Sequence, residues 1–162
     1  MRLAAVYSSP LSRARLTAEA IAEPHGLDVI PLNELREIRL GVWEGLTESE
    51  VSARFAEVFY ARRRDPERVA PEGGETLADL GARGLRAVHR IVACHPEEAV
   101  AAIAHGAINK AILLSVLHAP LRSYWRIRQD NAAINILDFD GDRARVTLLN
   151  ETAHLDGLSR PM

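Results

Sequence analysis

The sequence predicts an α/β fold in three layers, α/β/α, around a mostly parallel sheet. The apolar residues 99–104 run without a break into His105 and Gly106, and apolar residues at helical spacing follow them. An unbroken apolar run is typical of a strand that helices cover on both faces, and the spacing after it predicts a helix packed back onto that strand. A second apolar run, Leu3–Tyr7, also precedes a helical pattern. This strand–helix alternation indicates a parallel sheet.

Composition limits the classes of protein to which the chain can belong. Its 162 residues, 48% of them hydrophobic, predict a single domain over residues 1–162 with one core. The net charge of −2 gives no basic field that would attract nucleic acid or a membrane surface. One cysteine excludes an internal disulfide framework, and no apolar run reaches the roughly 20 residues of a membrane span. These features predict a cytoplasmic protein.

The first helix is predicted to begin at a Ser-Pro pair. Ser9 would be its N-cap and Pro10 its first helical residue, and Pro24 with Gly26 would end it. Arg13 then lies in the first turns, where the helix dipole repels a cation. Either Arg13 is a solvated side chain, or an anion bound between the arginine and the helix end offsets the repulsion.

The second strand, 28–32, is predicted at a sheet edge because it contains Pro31. The loop that follows, 33–46, carries two glycines, Trp43 and three carboxylates, one of which is Glu37. A loop of this composition is more often functional than a simple connector. Glu37 is therefore either a surface charge or an acid in a pocket.

The middle of the chain is predicted to be helical. Thr47 and Glu50 form a capping box that opens one helix, and a longer helix follows residues 71–76. The arginine-rich segment 62–68 also contains acidic residues, so it indicates a solvated face rather than a nucleic-acid surface. Cys94, at the end of the long helix, is predicted to be a buried small residue.

His105 is predicted at the carboxyl end of a central strand, one residue before a helix begins. Ligands bind at this position in open α/β sheets, and a helix N-terminus favours an anion there. The alternative is a core histidine that donates to a backbone carbonyl. Gly106 favours the ligand site, because it allows a bound group to approach the backbone closely. Two further strands, 132–137 and 145–149, are predicted around a hairpin turn at Asp140-Gly141-Asp142.

Four short segments stand in a fixed order along the chain: Ser8-Ser9-Pro10-Leu11-Ser12-Arg13-Ala14, then Leu35-Arg36-Glu37 with Gly41-x-Trp43-Glu44-Gly45, then Gly73-Gly74-Glu75-Thr76, then Ala104-His105-Gly106. Their order and spacing resemble the histidine phosphatase superfamily, which includes cofactor-dependent phosphoglycerate mutases and small broad-specificity phosphatases. The resemblance covers nearly the whole chain and implies a phosphoglycerate mutase-like fold.

The resemblance also implies a chemistry. In this family a phosphoryl group passes to a histidine and then to water or another hydroxyl, which divides one displacement into two easier ones. By motif, Arg13 and His105 would bind the phosphoryl oxygens with Gly106 beside them. Glu37 would be the general acid that protonates the leaving alkoxide. The implied partner is a small phosphorylated metabolite, and neither a metal nor a cofactor is expected.

The sequence departs from the family pattern at one point. The family begins with a strand that ends in Arg-His-Gly and carries the nucleophilic histidine, and no Arg-His-Gly occurs here. The expectation is an N-terminally truncated domain that lacks its first strand and helix. Three explanations stay open: a gene start assigned too late, a genuine pseudoenzyme, and completion of the sheet by another polypeptide, by a homo-oligomer or by strand exchange.

The predicted function is therefore that of a phosphomonoester hydrolase with a phosphohistidine intermediate, inactive as this chain because the nucleophile is absent. The segment between Gly45 and Gly73 is short, which in this family favours hydrolysis over mutase activity. The alternative is a non-catalytic protein that binds phosphate esters or forms oligomers. No partner of the nucleic-acid or membrane class is expected.

Overall fold

The computed structural model describes residues 2–141 and 143–157. Their strands form two sheets. A parallel sheet of three strands has the order β2-β1-β3, and an antiparallel ribbon pairs β4 with β5. The strands are β1 (Ala5–Ser8), β2 (Val29–Pro31), β3 (Val100–Ile103), β4 (Ile134–Asp140) and β5 (Arg143–Glu151).

Five α-helices lie in the described part of the chain. None of them combines the length and the apolar composition that crossing a membrane requires. They are α1 (Ser12–Ala22), α2 (Glu48–Arg54), α3 (Ala56–Arg64), α4 (Leu77–Cys94) and α5 (Gly106–Val116).

The side chains of β1 divide the core into two clusters, because successive residues of a strand point to opposite faces. Val6 packs against Ala18 of α1 on one face. Tyr7 packs on the other face in a larger cluster that includes Leu80 of α4 and Ile108 of α5. Helix α1 therefore covers one face of the parallel sheet, and α4 with α5 covers the other. This arrangement confirms the predicted three-layer α/β/α fold.

The first helix begins later than the sequence predicts. Helix α1 starts at Ser12, and Leu11 is its N-cap residue. The Ser9 hydroxyl lies 2.8 Å from Nε2 of His105, in a contact across the sheet. The predicted N-cap at Ser9 and the helical start at Pro10 are wrong, because Ser9 is held by the neighbouring strand end rather than by the helix.

Strand β3 is an edge strand of the parallel sheet, and the central strand is β1. The pairing of β3 with β1 runs from Ala5↔Val100 to Ser8↔Ile103, and Ala102 is exposed. The prediction that β3 is central and buried on both faces is therefore wrong for the described residues. Its second edge has no strand beside it there, so its apolar side chains keep contact with solvent.

Three predictions in the helical region need correction. The helix that Thr47 caps is interrupted at Phe55, which gives α2 and α3. Arg62 is not part of a solvated face: it is only 8% exposed, it donates to two backbone carbonyls, and it lies over the Trp43 ring at 6.0 Å. Cys94 is exposed at the last residue of α4.

The C-terminal ribbon follows the predicted hairpin. Gly141 has φ +56°, as a tight hairpin turn requires, and Asp142 lies outside the described residues. Leu137 and Phe139 face the main core cluster. Ile136, on the opposite face of the ribbon, is 42% exposed. The ribbon is thus anchored to the core through one face only.

Replacing Leu80 by Ala tests the importance of the cluster beneath α4 and α5. Leu80 is fully buried, so the cavity left behind should lower the free energy of unfolding by about 2–5 kcal/mol. Leu16→Ala is the matched control, because Leu16 is 61% exposed on α1 and its loss should cost less than about 0.5 kcal/mol. Urea unfolding followed by circular dichroism gives both values. Equal losses in the two variants would contradict this placement of the core.

Candidate active site

The carboxyl ends of β1 and β3 lie side by side, so the residues that follow the two strands meet. Ser8 stands opposite Ile103, and the Ser9 N–H donates to the Ile103 carbonyl at 2.9 Å. This register places the Ser9 hydroxyl 2.8 Å from Nε2 of His105, and both residues are buried. The parallel pairing therefore brings His105 beside the segment that leads into α1.

The loop between β2 and α2 brings Glu37 to the same place. Its carboxylate accepts hydrogen bonds from the N–H groups of Ala107 and Ile108, both at 3.2 Å, and from the N–H of Ile38 at 2.9 Å. The first turn of a helix has unpaired N–H groups, and its dipole favours negative charge. Glu37 thus satisfies two donors of α5. Gly106, the first residue of α5, is exposed, and the space beside its Cα is open.

A buried ion pair holds the loop that carries Glu37. Arg83 of α4 donates to the Glu75 carboxylate at 2.8 and 3.0 Å, and both side chains are largely buried. The same guanidinium donates to the backbone carbonyls of Glu34, Arg36 and Glu37 at 2.7, 2.7 and 3.0 Å. Burial raises the pKa of Glu75, but the hydrogen bonds and charges of Arg83 and Arg39 outweigh it and lower that pKa below its ordinary value. The pair is therefore ionised, and it fixes the loop backbone against α4.

Positive charge predominates around His105. Burial is the largest cause that lowers the pKa of His105 below its ordinary value, and the charge of Arg13 is the next. Glu37 opposes this effect, while Arg36 and Arg83 add to it. His105 is therefore neutral at pH 7. Three arginines and one glutamate act on the ring, which is an arrangement suited to an anion.

The structure brings Glu37, His105 and Gly106 together, although Glu37 is far from the other two in the sequence. The Glu37 carboxylate accepts from the two residues that follow Gly106. Arg13 forms no hydrogen bond or ion pair with these residues in the described part of the chain, and its charge is the second cause that lowers the pKa of His105. Arg36 and Arg83, whose charges also act on His105, were not predicted as site residues. The position of Arg36 beside Glu37 was a signal. Arg83 gave none, because it lies 46 residues from Glu37 in the middle of a helix.

A cavity of about 350 Å³ borders the site, and most of its lining is apolar. Ile38, the neighbour of Glu37, and Tyr124 are among the residues that line it. Burial raises the pKa of Tyr124 to about 12, and the negative charge of Glu37 is the second cause. Neither this cavity nor a second one of about 660 Å³ is lined by Arg13, Glu37 or His105.

Comparison with known proteins identifies the family. The model of the histidine phosphatase superfamily, branch 1, matches residues 1–152. Phosphoserine phosphatase 1 of Hydrogenobacter thermophilus is 32% identical over 150 residues, which cover 93% of this chain and 71% of that protein.

Solved structures agree in fold. YhfR from Bacillus stearothermophilus is 31% identical with a TM-score of 0.88, over 95% of this chain and 77% of its own. A mycobacterial glucosyl-3-phosphoglycerate phosphatase, solved in complex with VO3, is 32% identical with a TM-score of 0.81, over 93% of this chain and 77% of its own. These similarities confirm the resemblance seen in the sequence motifs: the chain belongs to branch 1 of the histidine phosphatase superfamily.

Proposed function

We propose that this chain provides the phosphoryl-binding and proton-donating residues of a phosphomonoester hydrolase with a phosphohistidine intermediate. Arg13 and His105 bind the phosphoryl oxygens, and Glu37 protonates the leaving alkoxide. The observation that carries the proposal is the meeting of Glu37 and His105 at the first turn of α5, within the field of three arginines.

Phosphoryl binding is supported by the charges and free donors at this point. Arg13 is exposed and has no ion-pair partner among the described residues, whereas Arg15 on the same helix pairs with Glu19 at 3.2 Å. An arginine donates strong charge-assisted hydrogen bonds to phosphate oxygens. In this proposal the Gly106 N–H at the start of α5 donates as well, because a helix N-terminus favours an anion.

Proton transfer is supported by the position of Glu37. Its carboxylate already lies at the helix N-terminus where the phosphoryl group is proposed to bind. The proposed role requires that Glu37 carries a proton when the phosphate ester is bound. A protonated carboxyl can then give its proton to the alkoxide as the P–O bond breaks. Arg83 keeps the backbone of Glu37 in place during this step.

The relatives support a small phosphorylated metabolite as the substrate. They are named as phosphatases of phosphoserine and of glucosyl-3-phosphoglycerate. Both are phosphate monoesters of small polar alcohols. The short segment between Gly45 and Gly73, which contains only α2 and α3, favours hydrolysis over transfer to a second alcohol.

The nucleophile is proposed to come from a strand that the described sheet lacks. None of the other histidines contacts Arg13, Glu37 or His105 in the described part of the chain; His95, for example, bonds to Tyr7 and Glu98. A histidine nitrogen placed beside His105 would attack phosphorus while the alcohol leaves with the Glu37 proton. Water would then displace the histidine and restore it.

Each of the two described sheets has an edge to which such a strand can pair. Among the described residues β3 pairs with β1 alone and β4 with β5 alone, so one edge of each carries backbone groups without a strand partner. Ile134 and Ile136 of β4 are also 45% and 42% exposed. A strand ending in Arg-His-Gly, set between β3 and β4, would cover these groups and bring its histidine to the site. Without it, the chain binds phosphate esters only, which is the alternative function.

Replacing Arg13 by Ala should weaken the binding of inorganic phosphate by at least about tenfold, because one charge-assisted hydrogen bond is lost. Arg15→Ala is the matched control on the same helix, and it should leave the affinity unchanged because Arg15 is paired with Glu19. Isothermal titration calorimetry measures both affinities. If the Arg13 variant binds phosphate as well as the parent does, Arg13 is a solvated side chain.

The chain itself should not hydrolyse an aryl phosphate, because it has no histidine that can accept the phosphoryl group. Fusion to an N-terminal segment that supplies a strand ending in Arg-His-Gly and a following helix should produce turnover that His105→Ala abolishes. A fusion that binds phosphate without turnover would favour the non-catalytic alternative. Turnover by the 162-residue chain alone would refute the assignment of the nucleophile.

Replacing His105 by Gln should reduce the loss of stability on acidification. The pKa of His105 is lower in the folded protein than its ordinary value of about 6.5. Its contribution to stability is therefore complete above that value. It is lost as the pH falls below it, where the unfolded chain takes up the proton first.

The free energy of unfolding should thus fall less between about pH 7.5 and pH 5.5 in the His105→Gln variant than in the parent protein. His25→Gln, at an exposed position, is the control for the replacement of a histidine as such. Urea unfolding across this range measures the three slopes. If the free energy of unfolding changes equally with pH in the parent and in His105→Gln, then His105 has the same pKa in the folded and the unfolded protein, and this prediction is wrong.

A further inference from the structure

The contact between Ser9 and His105 joins two residues that are 96 positions apart and fully or nearly fully buried. Ser9 is 0% exposed, so its hydroxyl proton has no access to water and needs an acceptor inside the protein. The hydroxyl oxygen already accepts a hydrogen bond from the Leu11 N–H at 3.3 Å. Among the described residues, Nε2 of His105 at 2.8 Å is the acceptor that remains for the proton.

This direction of donation sets the state of the imidazole ring. A neutral histidine carries one proton, and a nitrogen that accepts a hydrogen bond cannot carry it. If Nε2 accepts from Ser9, the proton is on Nδ1. The reverse direction, with Nε2–H donating to Ser9, would leave a buried hydroxyl proton without an acceptor, which costs about 1–3 kcal/mol.

The second ring nitrogen is free. Nδ1 of His105 has no hydrogen-bond partner among the described residues. In that same part of the chain, Trp43 Nε1 is the one fully buried side-chain nitrogen or oxygen without a partner. Nδ1 therefore keeps contact with solvent, although His105 as a whole is only 8% exposed.

We propose that Ser9 is a positioning residue that holds His105 as the Nδ1–H tautomer, so that Nδ1 donates to the bound phosphoryl group. This inference rests on the proposed function for the identity of the ligand, but the tautomer itself does not depend on it. Without the Ser9 hydroxyl, either ring nitrogen of His105 can carry the proton. In the Nε2–H tautomer, Nδ1 has no proton and cannot donate a hydrogen bond to the phosphoryl group. Ser9 disfavours this tautomer.

The tautomer can be read directly from the protein without turnover. In ¹H–¹⁵N multiple-bond spectra, the two ring nitrogens of a neutral histidine differ in chemical shift according to which one carries the proton. The spectra are recorded at a pH above about 7.5, where His105 is neutral. They compare the parent protein, Ser9→Ala and the control Ser8→Ala. Ser8 is an equally buried neighbour whose hydroxyl donates to the Ser9 carbonyl rather than to His105.

We expect Nδ1–H in the parent and in Ser8→Ala, and a mixture of both tautomers in Ser9→Ala. Inorganic phosphate should bind Ser9→Ala more weakly in proportion to the remaining Nδ1–H fraction, by about two- to fivefold. Nε2–H in the parent protein would overturn the inference, and that measurement does not require the variant to fold. An unchanged tautomer in Ser9→Ala would overturn it as well.

The failure of the proposed function is distinguishable from the failure of this inference. If the parent protein shows Nδ1–H and Ser9→Ala does not, while neither binds phosphate, the role of Ser9 stands and the ligand is wrong. If phosphate binds and Arg13→Ala weakens it, while His105 carries its proton on Nε2, the function stands and the role of Ser9 is wrong.

Discussion

The Glu37 carboxylate at the first turn of α5 is the contact on which the site depends. It accepts from the N–H groups of Ala107 and Ile108, and so it ties a loop that follows the edge strand β2 to the helix that follows β3. A carboxylate is favoured there, because the helix end has unpaired donors and a positive dipole. Arg83 of α4 also stabilises this contact, because its guanidinium donates to the backbone carbonyl of Glu37 in the same loop. Residues of α4 and α5 therefore hold Glu37 in position in the protein without a ligand.

The same helix end can serve a carboxylate and a phosphoryl group. Because Glu37 already uses the donors of Ala107 and Ile108, the anion site that we propose consists of His105, Arg13 and the exposed start of α5. The neutral state of His105 fits this task. A ring that is neutral because of burial and nearby arginines donates a hydrogen bond without adding another charge beside those arginines. In the proposed site the arginines neutralise the charge of the phosphoryl group, and the N–H of His105 fixes the orientation of that group.

The sequence predicted the architecture better than it predicted the contacts. The strand–helix order, the edge position of β2 and the capping box at Thr47 could be predicted because each depends on residues close together in the chain. The contact that Ser9 makes could not be predicted from the residues next to it in the chain. A serine before a proline predicts a helix cap, but its hydroxyl bonds instead to a histidine that only the parallel pairing of β1 and β3 brings near.

Burial of polar groups was equally hard to predict. Arg62 stands in a run of charged residues, yet it is buried because it donates to two carbonyls and packs against Trp43. The β3 prediction failed for a different reason. An apolar run shows only that the side chains of a strand can be buried. Whether Ala102 is buried depends on which strands lie beside β3 in the sheet.

We propose that Arg13, Glu37 and His105 surround one phosphoryl group. A crystal structure of the protein with vanadate tests this arrangement, because vanadate has the shape and charge of the group being transferred. We expect one vanadate whose oxygens lie within about 3 Å of the Arg13 guanidinium and a ring nitrogen of His105, with the Glu37 carboxyl beside it. Vanadate bound elsewhere, or Arg13 and His105 facing apart with no anion between them, would contradict it.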